Sequence, residues 1–128
     1  MMSVMRKLLL TLVALTSVAA ADVTVMDNGK TLEVDCTKDQ EVNLLGNKIT
    51  VTLKGVCTKV SVTGNECTVT GSASSVSLPG NHNTATLDKV DTISVPGNQN
   101  TVTYRGPVSA KKTKISAPGN KNSITRQK

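Results

Sequence analysis

The sequence predicts an all-β, single-domain β-solenoid, a β-helix-like stack of about five coils with an N-terminal hairpin cap. Three observations carry that expectation. A Gly-Asn corner recurs at 46, 64, 80, 97 and 119, in steps of 18, 16, 17 and 22 residues. Around each corner, apolar residues alternate with Ser, Asn or Thr, the period-2 mark of a half-buried strand. The 128 residues include one Tyr and neither Trp nor Phe. The interior must therefore be filled without the rings that usually dominate a core, and a narrow coil has room for ladders of Val, Ile, Leu and Asn.

Residues 1 to 21 read as a secretory signal peptide. Arg6 and Lys7 form its positive region, Leu8 to Leu15 its apolar region, and Val18-Ala19-Ala20-Ala21 a small-residue cleavage site. The apolar run is short for a membrane span of about 20 residues. Cleavage is expected after Ala20 or Ala21; the latter leaves 107 residues, 22–128, with net charge +4, since Arg6 and Lys7 leave with the leader. The expected address is periplasmic or secreted, in a bacterium, with no stable membrane anchor after processing.

Next, Asp27-Asn28-Gly29-Lys30 lies between Val23-Thr24-Val25 and Thr31-Leu32-Glu33-Val34, which reads as a tight hairpin capping the first coil. Five gapless repeats then cover about 42–52, 60–70, 76–86, 93–103 and 115–125. Val42/Leu44, Val60/Val62, Val76/Leu78, Ile93/Val95 and Ile115/Ala117 supply one inward strand face, and Val51, Val69, Ala85, Val102 and Ile124 a second. The corner glycine is expected to supply backbone freedom, and the asparagine to accept left-handed dihedrals and bond its own backbone. Pro79, Pro96 and Pro118 stiffen the corner. Two positions on, Asn83, Asn100 and Asn122 are expected to stack inside the turn as a structural ladder, with Ile49 and Cys67 in their place in the first two repeats. The last interval is five residues longer than its predecessor, and a basic loop within 105–114 accounts for the excess. A meander or small sandwich is the alternative, because strand spacing alone does not separate it from a solenoid.

The phrase Gly-Asn-x-Asn-Thr-Val-Thr at 97–103, weaker at 80–86 and 119–125, resembles the domain of unknown function 3060 family of exported bacterial proteins. Val34-Asp35-Cys36 and Gly55-Val56-Cys57 fit the same resemblance, which runs over roughly 31–125. It implies an architecture and no activity.

Three cysteines in an exported chain predict one disulfide and one thiol. Cys36 and Cys57 lie 21 residues apart, near one coil, which favours their pairing; Cys57 with Cys67 is the competing bridge. Cys67 is then expected to be a buried, inert thiol.

Enzymatic chemistry is not expected. The one histidine, His82, occupies a variable corner position shared with Lys48, Glu66, Gln99 and Lys121, and no other ligand lies at metal spacing. The nine acids fall at no fixed place in the repeat, which disfavours repeated calcium sites and paired catalytic carboxylates. No cofactor and no metal are implied.

Two surfaces remain. All nine acids lie at or before Asp91, whereas 105–128 carries Arg105, Lys111, Lys112, Lys114, Lys121, Arg126 and Lys128 and no acid. This basic patch invites an envelope partner, either a protein or an anionic surface polymer, or serves as a charged cap. Nucleic acid is disfavoured because one Tyr makes no stacking platform. The second surface is a candidate binding face of Thr50, Thr52, Thr68, Thr70, Thr84, Thr86, Thr101, Thr103 and Thr125. Its Thr-x-Thr columns resemble those of ice-binding solenoids. The expected function is a non-enzymatic binding or structural module of the bacterial envelope. A periplasmic immunity or inhibitor protein against a toxin, and ice or polysaccharide binding through the Thr face, are the alternatives.

Overall fold

The computed structural model describes residues 22–37 and 40–127; the expected signal peptide and Lys128 lie outside the described residues. Nine strands form among them and no helix. They are β1 (Val23–Val25), β2 (Thr31–Asp35), β3 (Glu41–Leu44), β4 (Thr50–Val62), β5 (Thr68–Ser77), β6 (Thr84–Ser94), β7 (Thr101–Gly106), β8 (Lys114–Ser116) and β9 (Ser123–Arg126). All pairings are parallel. Each strand bonds the equivalent strand one coil away, because a parallel neighbour can be reached only after the chain has gone round. The result is a β-solenoid of about six turns.

The sixth turn corrects the expected hairpin cap. β1 pairs in parallel with β3, and β2 with the first part of β4, so 23–35 is itself a coil. Asp27-Asn28-Gly29 is its corner: Asn28 aligns with Asn47, Asp27 takes the place of the corner glycine and Gly29 the left-handed place that Lys48 holds in the next coil, and this exchange hid the relationship. Thr31 aligns with Thr50 and Val23 with Val42.

Two apolar columns run the length of the stack. One is Val23, Val42, Val60, Val76, Ile93 and Ile115; the other is Leu32, Val51, Val69, Ala85, Val102 and Ile124. The inner members of both are fully or almost fully buried. Tyr104 closes the core near the C-terminal end. Unequal coil lengths are absorbed away from these columns. Register shifts fall between Thr52 and Val56 and between Gly71 and Ala73, at the far corner. The long last interval bulges at the same corner as the segment 107–113, between β7 and β8.

The Gly-Asn corners work differently from the sequence expectation. In every repeat the left-handed residue is the one after Asn: Lys48, Glu66, His82, Gln99 and Lys121 all have φ between 57° and 59°. The glycine is required for proximity instead. A Cβ on Gly97 would land on the carbonyl oxygen of Gly80 in the coil below, and one on Gly64 would land on that of Gly46. The corner asparagine bonds the neighbouring coil and not its own backbone. Asn28, Asn47, Asn65, Asn81 and Asn98 each accept, at Oδ1, the N–H of the next corner Asn at 2.8–3.0 Å, ending at Asn120.

Cys36 and Cys57 are disulfide-bonded, with Cα atoms 4.8 Å apart, and Cys67 is a free buried thiol. The bridge ties the first coil to the second. Closing a loop of this length contributes about 3 kcal/mol in the chain-entropy account.

Two outcomes are expected in urea unfolding followed by circular dichroism. Gly97→Ala lowers stability by about 3 kcal/mol or more, since backbone must move. Gln99→Gly raises it by up to about 1 kcal/mol, because left-handed strain of about 1–2 kcal/mol exceeds the entropy cost of glycine. An unchanged midpoint for Gly97→Ala would contradict the close stacking. Separately, reduction of the Cys36–Cys57 bridge is expected to lower stability by about 2–4 kcal/mol, read as a fall in the urea midpoint with dithiothreitol.

Candidate functional site: the threonine face and the basic end

The outward side chains of β2, β4, β5, β6, β7 and β9 stand in two columns beside the Gly-Asn corner. The first is Thr31, Thr50, Thr68, Thr84, Thr101 and Ser123; the second is Glu33, Thr52, Thr70, Thr86, Thr103 and Thr125. All nine threonines expected on the face are therefore brought together. Thr31, Glu33 and Ser123 complete the columns. Thr31 and Glu33 escaped the sequence reading for the same reason as the first coil; the alternation of Thr31, Glu33 and Asp35 around Leu32 and Val34 was the available signal. Thr68 and Thr103 are half-buried and the rest exposed. Neighbouring hydroxyls are spaced about 4.8 Å between coils and about 6.8 Å along a strand.

Charged side chains border the face on the side away from the corner. Lys54 Nζ lies 3.4 Å from Glu33, and Arg105 Nε lies 3.8 Å from Asp88, all four side chains well exposed. Such pairs contribute at most about 1 kcal/mol. At the corner itself, an open groove of about 410 Å³ is lined by Asn65, Glu66, Asn81, His82, Asn98 and Gln99. His82 is an exposed member of that groove. Among the described residues no group of three or more His, Cys, Asp or Glu could hold a metal ion.

The inner asparagines bond in the opposite direction to the outer ones. Asn83, Asn100 and Asn122 accept at Oδ1 the backbone N–H of Cys67, Asn83 and Asn100 respectively, at 2.8–2.9 Å. Their amides donate to the carbonyls of Gly64, Gly80 and Gly97 at 2.9–3.0 Å. Cys67 takes the same place one coil earlier: its Sγ donates to the Gly46 carbonyl at 3.4 Å. The thiol thus extends the ladder, and burial pushes its pKa up while backbone N–H groups of Ile49 and Lys48 oppose the rise.

The basic residues form a ring, not one patch. Lys121 sits at the Gly-Asn corner, Arg105 and Arg126 at the edge of the threonine face, and Lys111, Lys112 and Lys114 at or beside the far-corner loop. Arg126 Nε donates to the Arg105 carbonyl at 3.0 Å. Asp91 organises the loop. Its carboxylate accepts the N–H groups of Ala110, Ser109 and Val108 at 2.7–3.1 Å and the Ser109 hydroxyl at 3.2 Å. These donors, Ala110 first, hold its pKa below the ordinary value of 3.8. Thr113 Oγ1 completes the anchor by donating to the Val90 carbonyl at 2.7 Å.

Because the folded pKa of Asp91 is depressed, its contribution is present above the unfolded carboxylate pKa, near 4, and is lost as pH falls through the folded value. Asp91→Asn is therefore expected to speed tryptic cleavage after Lys111 and Lys112 at neutral pH while leaving the rest of the coil intact. The native loop should loosen only in acid, seen as faster amide exchange at Ser109 and Ala110. Equal cleavage rates in the two proteins would show that Asp91 does not hold the loop.

Comparison with curated proteins and with solved structures finds no match. The family described as "protein of unknown function (DUF3060)" matches residues 63–120. That stretch is narrower than the resemblance in the sequence implied, and it contains the corners of the third to the sixth coil, where glycine stacks on glycine and the inner asparagine ladder runs. Over this stretch of repeated corners, the chain is similar to the DUF3060 family.

Proposed function

We propose that the protein is an exported, non-enzymatic binding module of the bacterial envelope, with the threonine face as its working surface. One observation carries the reading: two columns of hydroxyl-bearing side chains stay in register from coil to coil on a disulfide-tied frame. Side chains held by parallel strand pairing lose little further entropy on binding, so weak hydroxyl contacts add up along a repeating ligand. The one aromatic ring, Tyr104, is buried in the core, so recognition through stacking on sugar rings is not available to the face. The ligand chemistry that fits is a repeated array of hydroxyls, as on an extended surface polysaccharide. Export is supported by the basic and apolar pattern of residues 1 to 21 and by the disulfide, which persists in oxidising compartments.

A second reading, ice binding, is favoured by the pairing of methyl and hydroxyl at each threonine, which offers one surface to an ordered water lattice. The two readings separate by experiment. In a co-sedimentation assay with insoluble envelope polysaccharide, the purified protein is expected to bind. Thr86→Lys and Thr101→Lys, both at exposed positions near the middle of the face, should weaken binding at least about tenfold with unchanged circular dichroism. Thermal hysteresis without polysaccharide binding would replace the first reading with the second. Binding that survives both substitutions would remove the face from the function.

A further inference from the structure

We propose that the processed protein associates head to tail, the acidic first coil of one copy stacking on the basic last coil of another so that the solenoid continues across the junction. The inference rests on removal of residues 1 to 21, part of the export reading, and is otherwise independent of what the threonine face binds.

Both ends of the stack present open strand edges. In β8 the Ser116 carbonyl accepts the Val95 N–H, so Ser116 faces its own stack and strand alternation turns the backbone groups of Ile115 and Ala117 outward. In β9 the Ser123 N–H donates to the Asn100 carbonyl, which turns the backbone of Ile124 outward in the same way. At the other end, Val25 and Lys30 use their carbonyls to accept N–H groups of Leu45 and Thr50, and alternation turns Thr24 and Thr31 away. Each end is thus half of a parallel ladder.

The two halves match. Ile115 is 45% exposed, whereas its column neighbours Val42, Val60, Val76 and Ile93 are at 0%. In a second copy, Val23 begins the same column and would cover Ile115; Leu32 would cover Ile124 in the same way. The outer asparagine ladder also has a direction. Every Oδ1 accepts from the following coil, so the side chain of Asn120, at the end of the ladder, is oriented for the N–H of Asn28 in the next copy.

Charge decides the orientation. Residues 22–37 carry Asp22, Asp27, Glu33 and Asp35 against Lys30, a side-chain charge of −3 that stays negative, at −2, with the α-amino group processing creates at Asp22, while 105–127 carries six bases and no acid. Like ends repel and unlike ends attract. The column that holds Lys59, Ser75 and Thr92 ends at Lys114, and extended the other way through Glu41 it begins at Asp22. Stacking therefore brings Lys114 of one copy to Asp22 of the next. A contact between two different surfaces of one chain does not close on itself, so short linear oligomers follow. Across each junction Thr31 continues from Ser123, so the threonine face lengthens and its contacts with a repeating ligand multiply.

The test uses protein exported and processed by a bacterial host, with the N-terminus of each variant read by mass spectrometry. In sedimentation velocity at low salt the weight-average mass should rise with concentration. It should return to that of the monomer near 1 M salt, where the screening length is about 3 Å. Lys114→Glu and Asp22→Lys should each weaken association about tenfold, and an equimolar mixture of the two should restore it, because Glu at one end now meets Lys at the other. A wild-type monomer at all concentrations, loss in only one single variant, or a mixture that stays monomeric overturns the proposal. A chain that retains residues 1 to 21 overturns its premise, and does so separately from any result on polysaccharide.

Discussion

Coil-on-coil stacking at the Gly-Asn corner is the constraint on which the rest of the structure depends. There the backbones of successive coils approach so closely that a single methyl group at Gly97 would occupy the position of the Gly80 carbonyl oxygen. The asparagine beside each glycine converts this proximity into bonds. Its side chain reaches the N–H of the neighbouring corner, and each inner asparagine makes two bonds to the preceding coil, accepting an N–H and donating to a carbonyl. Every corner leaves backbone groups that no strand ladder can satisfy, and burying them without partners would cost about 1–3 kcal/mol each. The ladders remove that cost and fix the pitch together.

A fixed pitch is what permits a core without rings. With the coils held at strand spacing, a column such as Val51, Val69, Ala85 and Val102 packs the same branched or small shape above and below itself. The inner side of a corner accepts a variety of donors as long as the polar arithmetic closes. Cys67 demonstrates this, since its thiol points at the Gly46 carbonyl as the amide of Asn83 points at that of Gly64. Variation in coil length is pushed to the far corner, where register shifts and the Asp91-anchored loop absorb it without disturbing either ladder.

The same constraint organises the surface. Because stacking aligns equivalent positions, any residue type repeated in the sequence becomes a column in space, and Thr at two alternate positions becomes a two-column face. Residues that are not repeated become distributed around the coil. Among the described residues, the six bases after Asp91, contiguous in composition, encircle the end of the stack because the chain makes more than one full turn while it carries them. A charge run in a solenoid is a property of an end, not of a side.

Much of this was legible in the sequence. The Gly-Asn period with alternating Val, Ile and Thr determined an all-β solenoid, the identity of the inward columns and the membership of the threonine face, because strand alternation and tandem repetition are local properties. The spacing of Cys36 and Cys57 pointed to their bridge for the same reason, one coil being one repeat. Tertiary structure decided the rest. That Asp27-Asn28-Gly29 closes a further coil, not a hairpin, follows only from the parallel pairing of β1 with β3 and β2 with β4. That glycine serves close approach while the residue after asparagine takes the left-handed conformation follows from where the neighbouring backbone lies. Whether a basic run forms a patch or a ring, and whether a cysteine interrupts a ladder or extends it, depends on which atoms the adjacent coil presents, and that is set by stacking between residues 16 to 22 positions apart.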